Sequence, residues 1–201
     1  MQRFFVVILS VFLIAACTMP VTKIYSIYVD TSAKKERVKE RGFTSNPPAE
    51  RSVAILVDVP RYLSQPYIAY RTSPYQLEIS RYSKWEAPPG DMVRELFREK
   101  LFLSGYFHEV RASSVVPEGF YALEIKMKKF ERFDDADGSF GDLLLEIKMT
   151  SPDNREIYYG TMAGHVRLAD KSFLSLAMGL SKALSDSIDG VIDDIAGVLS
   201  N

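Results

Sequence analysis

Few residues of the types that perform chemistry occur in this sequence. Among 201 residues there are one cysteine and two histidines. Neither His108 nor His165 has a second histidine or a pair of carboxylates nearby at the spacing of a catalytic or metal site. The nucleophile elbow G-x-S-x-G, the Walker phosphate loop, the Rossmann glycines and the zinc motif H-E-x-x-H are also absent from the sequence. We therefore predict a protein that is not an enzyme and that binds no metal or organic cofactor.

One acidic stretch, Asp134–Asp142, has the composition of a calcium loop. In the EF-hand pattern a glycine takes the sixth position, and oxygen ligands take the first and the twelfth. With Gly138 at the sixth position, Phe133 and Leu144 fall where oxygen ligands are required. The EF-hand interpretation fails, and a hairpin turn explains the stretch better than an unconventional cation site.

The single cysteine, Cys17, has a clear chemical context. Arg3 precedes the nearly unbroken apolar run Phe4–Leu13, and the small residues Ala15 and Ala16 stand directly before Cys17. This succession is typical of a secretory signal peptide, and the run is shorter than the roughly 20 apolar residues that cross a bilayer. The small residues also match the bacterial lipobox, in which the cysteine thiol receives diacylglycerol. We predict a lipoprotein signal peptide over residues 1–16 and lipid attachment at Cys17; an ordinary signal peptide is the alternative.

The residues after Cys17 predict where the anchor places the protein. In bacterial lipoproteins an aspartate after the cysteine commonly retains the protein in the inner membrane, whereas Thr18 stands here. Thr18 therefore favours the outer membrane, facing the periplasm. Residues 17–22 form a short lipidated tether, which spans at most roughly 20 Å at about 3.6 Å per residue. We expect the folded part, residues 23–201, to lie close to its membrane.

The charge balance argues against nucleic acid as a partner. The sequence has 25 basic and 26 acidic residues and a formal net charge of -1. A dedicated nucleic-acid binder needs a basic excess to neutralise phosphates, and this chain has none. A basic cluster does occur in the polar segment Asp30–Ser52, but acidic residues alternate with it. We interpret this segment as a solvated, flexible loop rather than as a site for anionic headgroups.

Hydrophobic periodicity predicts an α+β protein: a mostly antiparallel β-sheet packed against two α-helices, including a long C-terminal helix. Alternation of apolar and polar residues predicts strands, and apolar residues at steps of three or four predict helices. The expected strands are Lys23–Val29, Val53–Val59, Tyr67–Arg71, Tyr75–Ser80, Phe107–Val110, Gly119–Phe133, Phe140–Thr150 and Glu156–Leu168. The expected helices are Met92–Leu103, capped by Asp91, and Ser172–Leu199. The chain is long enough for these elements to share a single core.

The segment Val57–Arg71, followed by Leu77 and Trp85, resembles the PqiC/YmbA family of ABC-transport auxiliary lipoproteins. The resemblance consists of a valine-rich strand, a proline with Tyr-Leu, a second proline, an apolar strand ending in arginine, and a tryptophan before a helix. Pro60 and Pro66 lack backbone donors and should fix a surface corner between two strands. Tyrosine and tryptophan are favoured at interfaces. The residues we predict to bind a partner are Arg61, Tyr62, Leu63, Tyr67, Arg71 and Trp85. For each ring, packing in the core is the alternative, and Tyr62 and Leu63 are candidates to pin the corner to the core.

The resemblance implies a function without catalysis. It implies an accessory subunit, anchored in the outer membrane through Cys17, of a system in which an MCE-domain protein forms a tube across the periplasm and carries lipid between membranes. It leaves self-association open. Two alternatives remain: a direct lipid carrier with an apolar cavity, and an envelope-assembly lipoprotein of the lipopolysaccharide or Tol type.

Overall fold

A computed structural model describes residues 21–29 and 51–200 of the chain. The predicted signal peptide, Cys17 and positions 30–50 of the predicted loop lie outside the described residues. Within the described ranges, neither helix has the length and the apolar character that crossing a bilayer requires.

The described residues form one eight-stranded sheet and two helices. The strands are Lys23–Tyr25 (β1), Ser52–Asp58 (β2), Tyr67–Ser73 (β3), Gln76–Trp85 (β4), Glu109–Ala112 (β5), Tyr121–Asp134 (β6), Ser139–Thr150 (β7) and Glu156–Arg167 (β8). The helices are Pro89–Ser104 (α1) and Phe173–Leu199 (α2). The predicted α+β class and the long C-terminal helix are confirmed.

The sheet is mixed rather than uniformly antiparallel. The predicted hairpin β3–β4 and the predicted meander β6–β7–β8 are antiparallel. In contrast, β6 pairs in parallel with both β2 and β3, β2 pairs in parallel with β5, and β1 pairs in parallel with β4. Parallel neighbours need a connection through other elements, such as α1 between β2 and β5, and periodicity along a single strand does not reveal them.

Element boundaries differ from the prediction where prolines and edge positions decide them. Helix α1 begins at Pro89, with Pro88 rather than Asp91 at the N-cap position. Proline is favoured in the first helical turn because its fixed φ suits the helix and its missing N–H has no partner there. Strand β1 ends at Tyr25, since only Lys23–Tyr25 pairs with β4, and β4 extends beyond the predicted end to Trp85.

Helix α2 covers β7 and β8 with an apolar stripe. Leu176, Leu180, Leu184 and Ile188 are fully buried, and they recur at the four-residue spacing expected of one helix face. Ser172 caps the helix, because its hydroxyl oxygen accepts a hydrogen bond from the Ser175 amide at 3.1 Å. The hydrophobic core lies between one face of the sheet and both helices, because the apolar face of α1 belongs to the same buried cluster.

Arg132 joins the sheet to the start of α2. Its guanidinium lies 5.1 Å from the ring centroid of Tyr70 and 4.8 Å from that of Phe173. One terminal nitrogen donates to the Asp134 carboxylate at 2.9 Å, and the other donates to the backbone oxygen of Lys171. Both members of the ion pair are more than nine-tenths buried. A buried cation held in this way fixes β3, β6 and the first turn of α2 relative to one another.

We expect Arg132→Met to lower the free energy of unfolding by about 3 kcal/mol, because the buried Asp134 carboxylate loses its cation. Urea denaturation at neutral pH measures this change. Adding Asp134→Asn should recover part of the loss. The matched control is Arg155→Met, since Arg155 also pairs with an aspartate two positions away but in an exposed setting, where removal should cost no more than about 1 kcal/mol. Equal losses in the two single variants would contradict the role given to burial.

Candidate partner-binding site

The predicted corner exists because two strands share one edge of β6. Strand β2 pairs with β6 as far as Asp58 opposite Lys126, and β3 resumes the pairing with Tyr70 opposite Arg132. Between these points the chain leaves the sheet, and it makes a 3-10 turn at Arg61–Leu63. The corner, which we define as residues 60–67, therefore stands beside a stretch of β6 without a strand partner on that edge.

Local hydrogen bonds fix the corner at both ends. The Leu63 amide donates to the Pro60 oxygen at 2.9 Å, and the Ser64 hydroxyl donates to the Arg61 oxygen at 2.8 Å. At the far end, the Trp85 amide donates to the Pro66 oxygen at 2.8 Å, which ties the corner to β4. The two prolines offer carbonyl acceptors but no amide donors, so the corner is bonded inward and does not continue the sheet.

Two of the predicted binding residues are buried and support the corner from the side of the core. Leu63 is fully buried, and Trp85 is 2% exposed. The Trp85 ring packs edge-on against Phe130 of β6, with the ring centroids 5.3 Å apart. In this conformation neither side chain offers surface to a partner. Their contacts hold the corner in position instead. Direct partner binding stays a prediction for the exposed residues among those predicted to bind a partner.

An ion pair between Arg71 and Glu131 lies beside the corner. The Arg71 Nε atom donates to Glu131 Oε1 at 2.7 Å, and the Glu131 side chain is only 1% exposed. The Tyr62 hydroxyl donates to the backbone oxygen of Lys128 at 3.2 Å, in the stretch of β6 that has no strand partner on this edge. Burial, together with the negative charge of Glu131, raises the pKa of Tyr62 well above its ordinary value. Tyr62 therefore stays protonated and acts as a fixed donor.

The outer surface of the corner is aromatic and basic. Arg61 is exposed, and Tyr67 is 37% exposed. The Lys84 ammonium lies 5.2 Å from the centroid of the Tyr67 ring, and Tyr82 on the same strand as Lys84 is half exposed. Aromatic rings with polar tips beside positive charge suit a protein surface that offers apolar and acidic groups.

A ladder of opposite charges follows β6 and β7 next to the corner. Lys128 pairs with Glu146 at 3.2 Å, and Lys148 pairs with Glu124 at 3.0 Å. Such cross-strand pairs each add little stability, roughly 0.2–1 kcal/mol, but they keep this face of the sheet polar. The face is therefore suited to contact with water or with a polar partner.

The histidines behave as surface residues, with one contact that the sequence did not reveal. His165 Nδ1 lies 2.6 Å from Asp142 Oδ1, and the His165 ring stacks on Phe140 with centroids 4.1 Å apart. Asp142 also pairs with Lys129 at 3.4 Å, so the carboxylate belongs to the ladder of charges. His108 is exposed. Within residues 21–29 and 51–200 no group of three or more His, Cys, Asp or Glu side chains could hold a metal ion.

The acidic stretch forms a hairpin turn between β6 and β7, as the sequence indicates. Asp135 Oδ1 accepts hydrogen bonds from the amides of Asp137 and Gly138 at 2.8 and 3.0 Å. Gly138 has a φ of 148°, a conformation that side-chain-bearing residues rarely adopt.

Sequence reasoning left the partner of Arg71 open, and it missed Glu131 and Lys84. A signal for Glu131 was present: the doublet Lys128-Lys129 interrupts the alternation of β6. The structure has a register shift between Met127 and Lys129, which is the effect of a β-bulge. The bulge puts Glu131 opposite Asp142, on the polar face.

We expect Tyr62→Phe to lower the free energy of unfolding by about 1 kcal/mol at neutral pH, because the Lys128 oxygen loses its donor. The folded-state pKa of Tyr62 is raised, so the stabilisation is complete below pH of about 10 and declines as the pH rises above that value, where the tyrosine ionises in the unfolded chain. The difference in free energy of unfolding between the native protein and the variant should therefore be smaller at pH 11 than at pH 9, two values about one unit on either side of pH 10. Urea denaturation at several pH values checks this. Tyr75→Phe is the control, since Tyr75 is 97% exposed and should show neither effect.

Comparison with known proteins places the fold and the family. Protein XCC0632 from Xanthomonas campestris, described as DUF330, has a crystal structure that is 19% identical in sequence, with a TM-score of 0.65 over 85% of this chain and 92% of that one. The crystal structure of an uncharacterized protein is 16% identical, with a TM-score of 0.64 over 87% of this chain and 99% of that one. The comparison with curated proteins found no match.

The family model described as "ABC-type transport auxiliary lipoprotein component" matches residues 40–195. This match confirms the resemblance drawn from the segment that runs from Val57 to Trp85. Because it spans most of the sequence, the chain belongs to the family of ABC-type transport auxiliary lipoproteins.

Proposed function

We propose that this protein is a periplasmic lipoprotein, anchored in the outer membrane through acylated Cys17, that serves as the accessory subunit of an MCE/ABC-type lipid transport system and so maintains the envelope. The observation that carries the proposal is the family match over residues 40–195, which supports an auxiliary role in transport. The lipobox at Cys17 supports the anchor, and Thr18 supports the outer membrane.

The proposed mechanism is docking without chemistry. The lipid anchor holds the domain at the membrane, because a residue that carries two or more acyl chains is held stably. The corner then presents Arg61 and Tyr67 to the end of the MCE-domain tube. Its hydrogen bonds and buried supports are already in place without a partner, so docking does not need to order it.

The direct-carrier alternative requires an apolar cavity. One open groove of about 710 Å³ has four charged side chains in its lining: Asp58, Arg94, Glu124 and Lys126. An acyl chain in this groove would lie against charges, which is unfavourable. The groove therefore does not favour a carrier. The envelope-assembly alternative differs from our proposal in the identity of the partner protein, which crosslinking at Tyr67 determines.

We expect Cys17→Ala to release the protein from membranes while leaving its fold intact, because the substitution removes the acyl chains and touches none of the described residues. Membrane fractionation measures release, and circular dichroism of the released protein checks the fold. Thr18→Ala is the control and should stay in the membrane fraction. Normal membrane association of Cys17→Ala would rule out the anchor.

A photo-crosslinking residue in place of Tyr67 should capture an MCE-domain protein in native membranes, because Tyr67 is the exposed ring of the corner. Affinity purification and mass spectrometry identify the adduct. The matched control replaces Tyr159 of β8, another exposed tyrosine, and should give no MCE adduct. A lipopolysaccharide or Tol component captured at position 67 would replace our proposal with envelope assembly. An absence of adducts there would remove the corner as the docking site.

A further inference from the structure

Exposed apolar side chains gather on the part of the domain that adjoins the tether. They lie on the segment that follows β1 and on the first two turns of α2. The side chains, each more than half exposed, are Tyr28, Leu174 and Met178. We call these three residues the anchor flank. Exposed large apolar side chains that occur singly need no explanation, whereas a group of them marks a contact surface.

The flank has a defined shape. The Tyr28 amide donates to the Ser181 hydroxyl at 3.0 Å, which holds the segment after β1 against α2. Between this segment and the helix lies an open groove of about 510 Å³, lined by Tyr28, Leu174 and Met178 together with polar side chains. Lys182 lies at the groove and pairs with Asp186 at 2.8 Å. Apolar side chains with a tyrosine and a lysine nearby are the composition that suits the boundary between lipid headgroups and acyl chains.

The length of the tether indicates what covers the flank. Only three residues separate Cys17 from Val21, so the two Cα atoms are at most about 14 Å apart. If Cys17 is acylated, its Cα lies at the membrane surface, and Val21 and β1 must lie close above it. No partner protein needs to be invoked for a surface that the anchor itself brings to the bilayer.

We propose that the anchor flank rests on the phospholipid bilayer, with Tyr28, Leu174 and Met178 at the depth of the headgroups. This inference rests on the proposed acylation of Cys17 and adds an orientation to it. In the sheet, Ile24 of β1 is opposite Lys84 of β4, and Lys84 is opposite Tyr67 of β3. Adjacent strands are about 4.8 Å apart, so the corner lies roughly 10 Å from β1. A domain seated on its flank therefore holds the corner at a fixed, low height above the membrane.

The test places a reporter on the flank. In the acylated full chain Cys17 is blocked, so Met178→Cys or Leu174→Cys provides a unique thiol for an environment-sensitive dye. The protein is reconstituted into vesicles of phosphatidylethanolamine and phosphatidylglycerol. We expect quenching by aqueous iodide to be weaker by about threefold or more than for the control Tyr159→Cys on the far edge strand β8, because a flank at headgroup depth is shielded from water. The substituted side chains are exposed, so these changes leave the core intact.

Three results would overturn the inference, and they are distinguishable. Equal quenching at positions 178 and 159, in protein that floats with the vesicles, would mean that the flank faces water although the anchor holds. Protection that grows with protein density at constant lipid composition would assign the flank to a second copy of the chain. Dye attachment to the chain without an added cysteine would show Cys17 free, and it would overturn the anchor together with the orientation.

Discussion

The structure depends on which strands pair along the two edges of β6. One edge pairs with β7 along nearly its whole length, while the other is divided between β2 and β3. Because two successive strands cannot both continue along the same edge without a break, the chain must step away from the sheet between them. The corner is the result of this step. Its position is therefore set by the pairing of the longest strand in the described part of the chain, and not by the loop itself.

Two polar groups of β6 beside the break have side-chain partners. Tyr62 supplies the donor for the Lys128 oxygen, and Arg71 supplies the cation for Glu131. An unpaired carbonyl or carboxylate in this buried position would cost free energy that the rest of the fold would have to offset. The same residues that resemble a family motif are thus explained first by local structure. Tyr67 and Arg61, which are exposed on the outer side, are the residues of this segment left available for the proposed partner contact.

Much of this arrangement follows from the sequence, because its signals are local. The alternation in β7 and β8, the apolar stripe of α2 and the prolines of the corner depend on neighbouring residues and predict the elements correctly. The parallel pairing of β2 with β6 depends on residues far apart in sequence, and periodicity does not encode it. The sequence left open whether Leu63 and Trp85 pack in the core or face a partner, since an aromatic or apolar residue at a corner can face either the core or the solvent. The pairing of Arg71 with Glu131 required the bulge to be recognised.

The division of β6 also dictates an order of events as the chain folds. Val53 pairs with Tyr121, and Val57 pairs with Ile125, so β2 meets its partner only after the intervening α1 and β5 have been made. Until β6 is available for pairing, the apolar strand Val53–Val57 has a free edge. Long-range parallel pairing is slow, and an unpaired apolar strand is prone to aggregate. The folding chain is therefore expected to be most prone to aggregation before β2 has paired with β6.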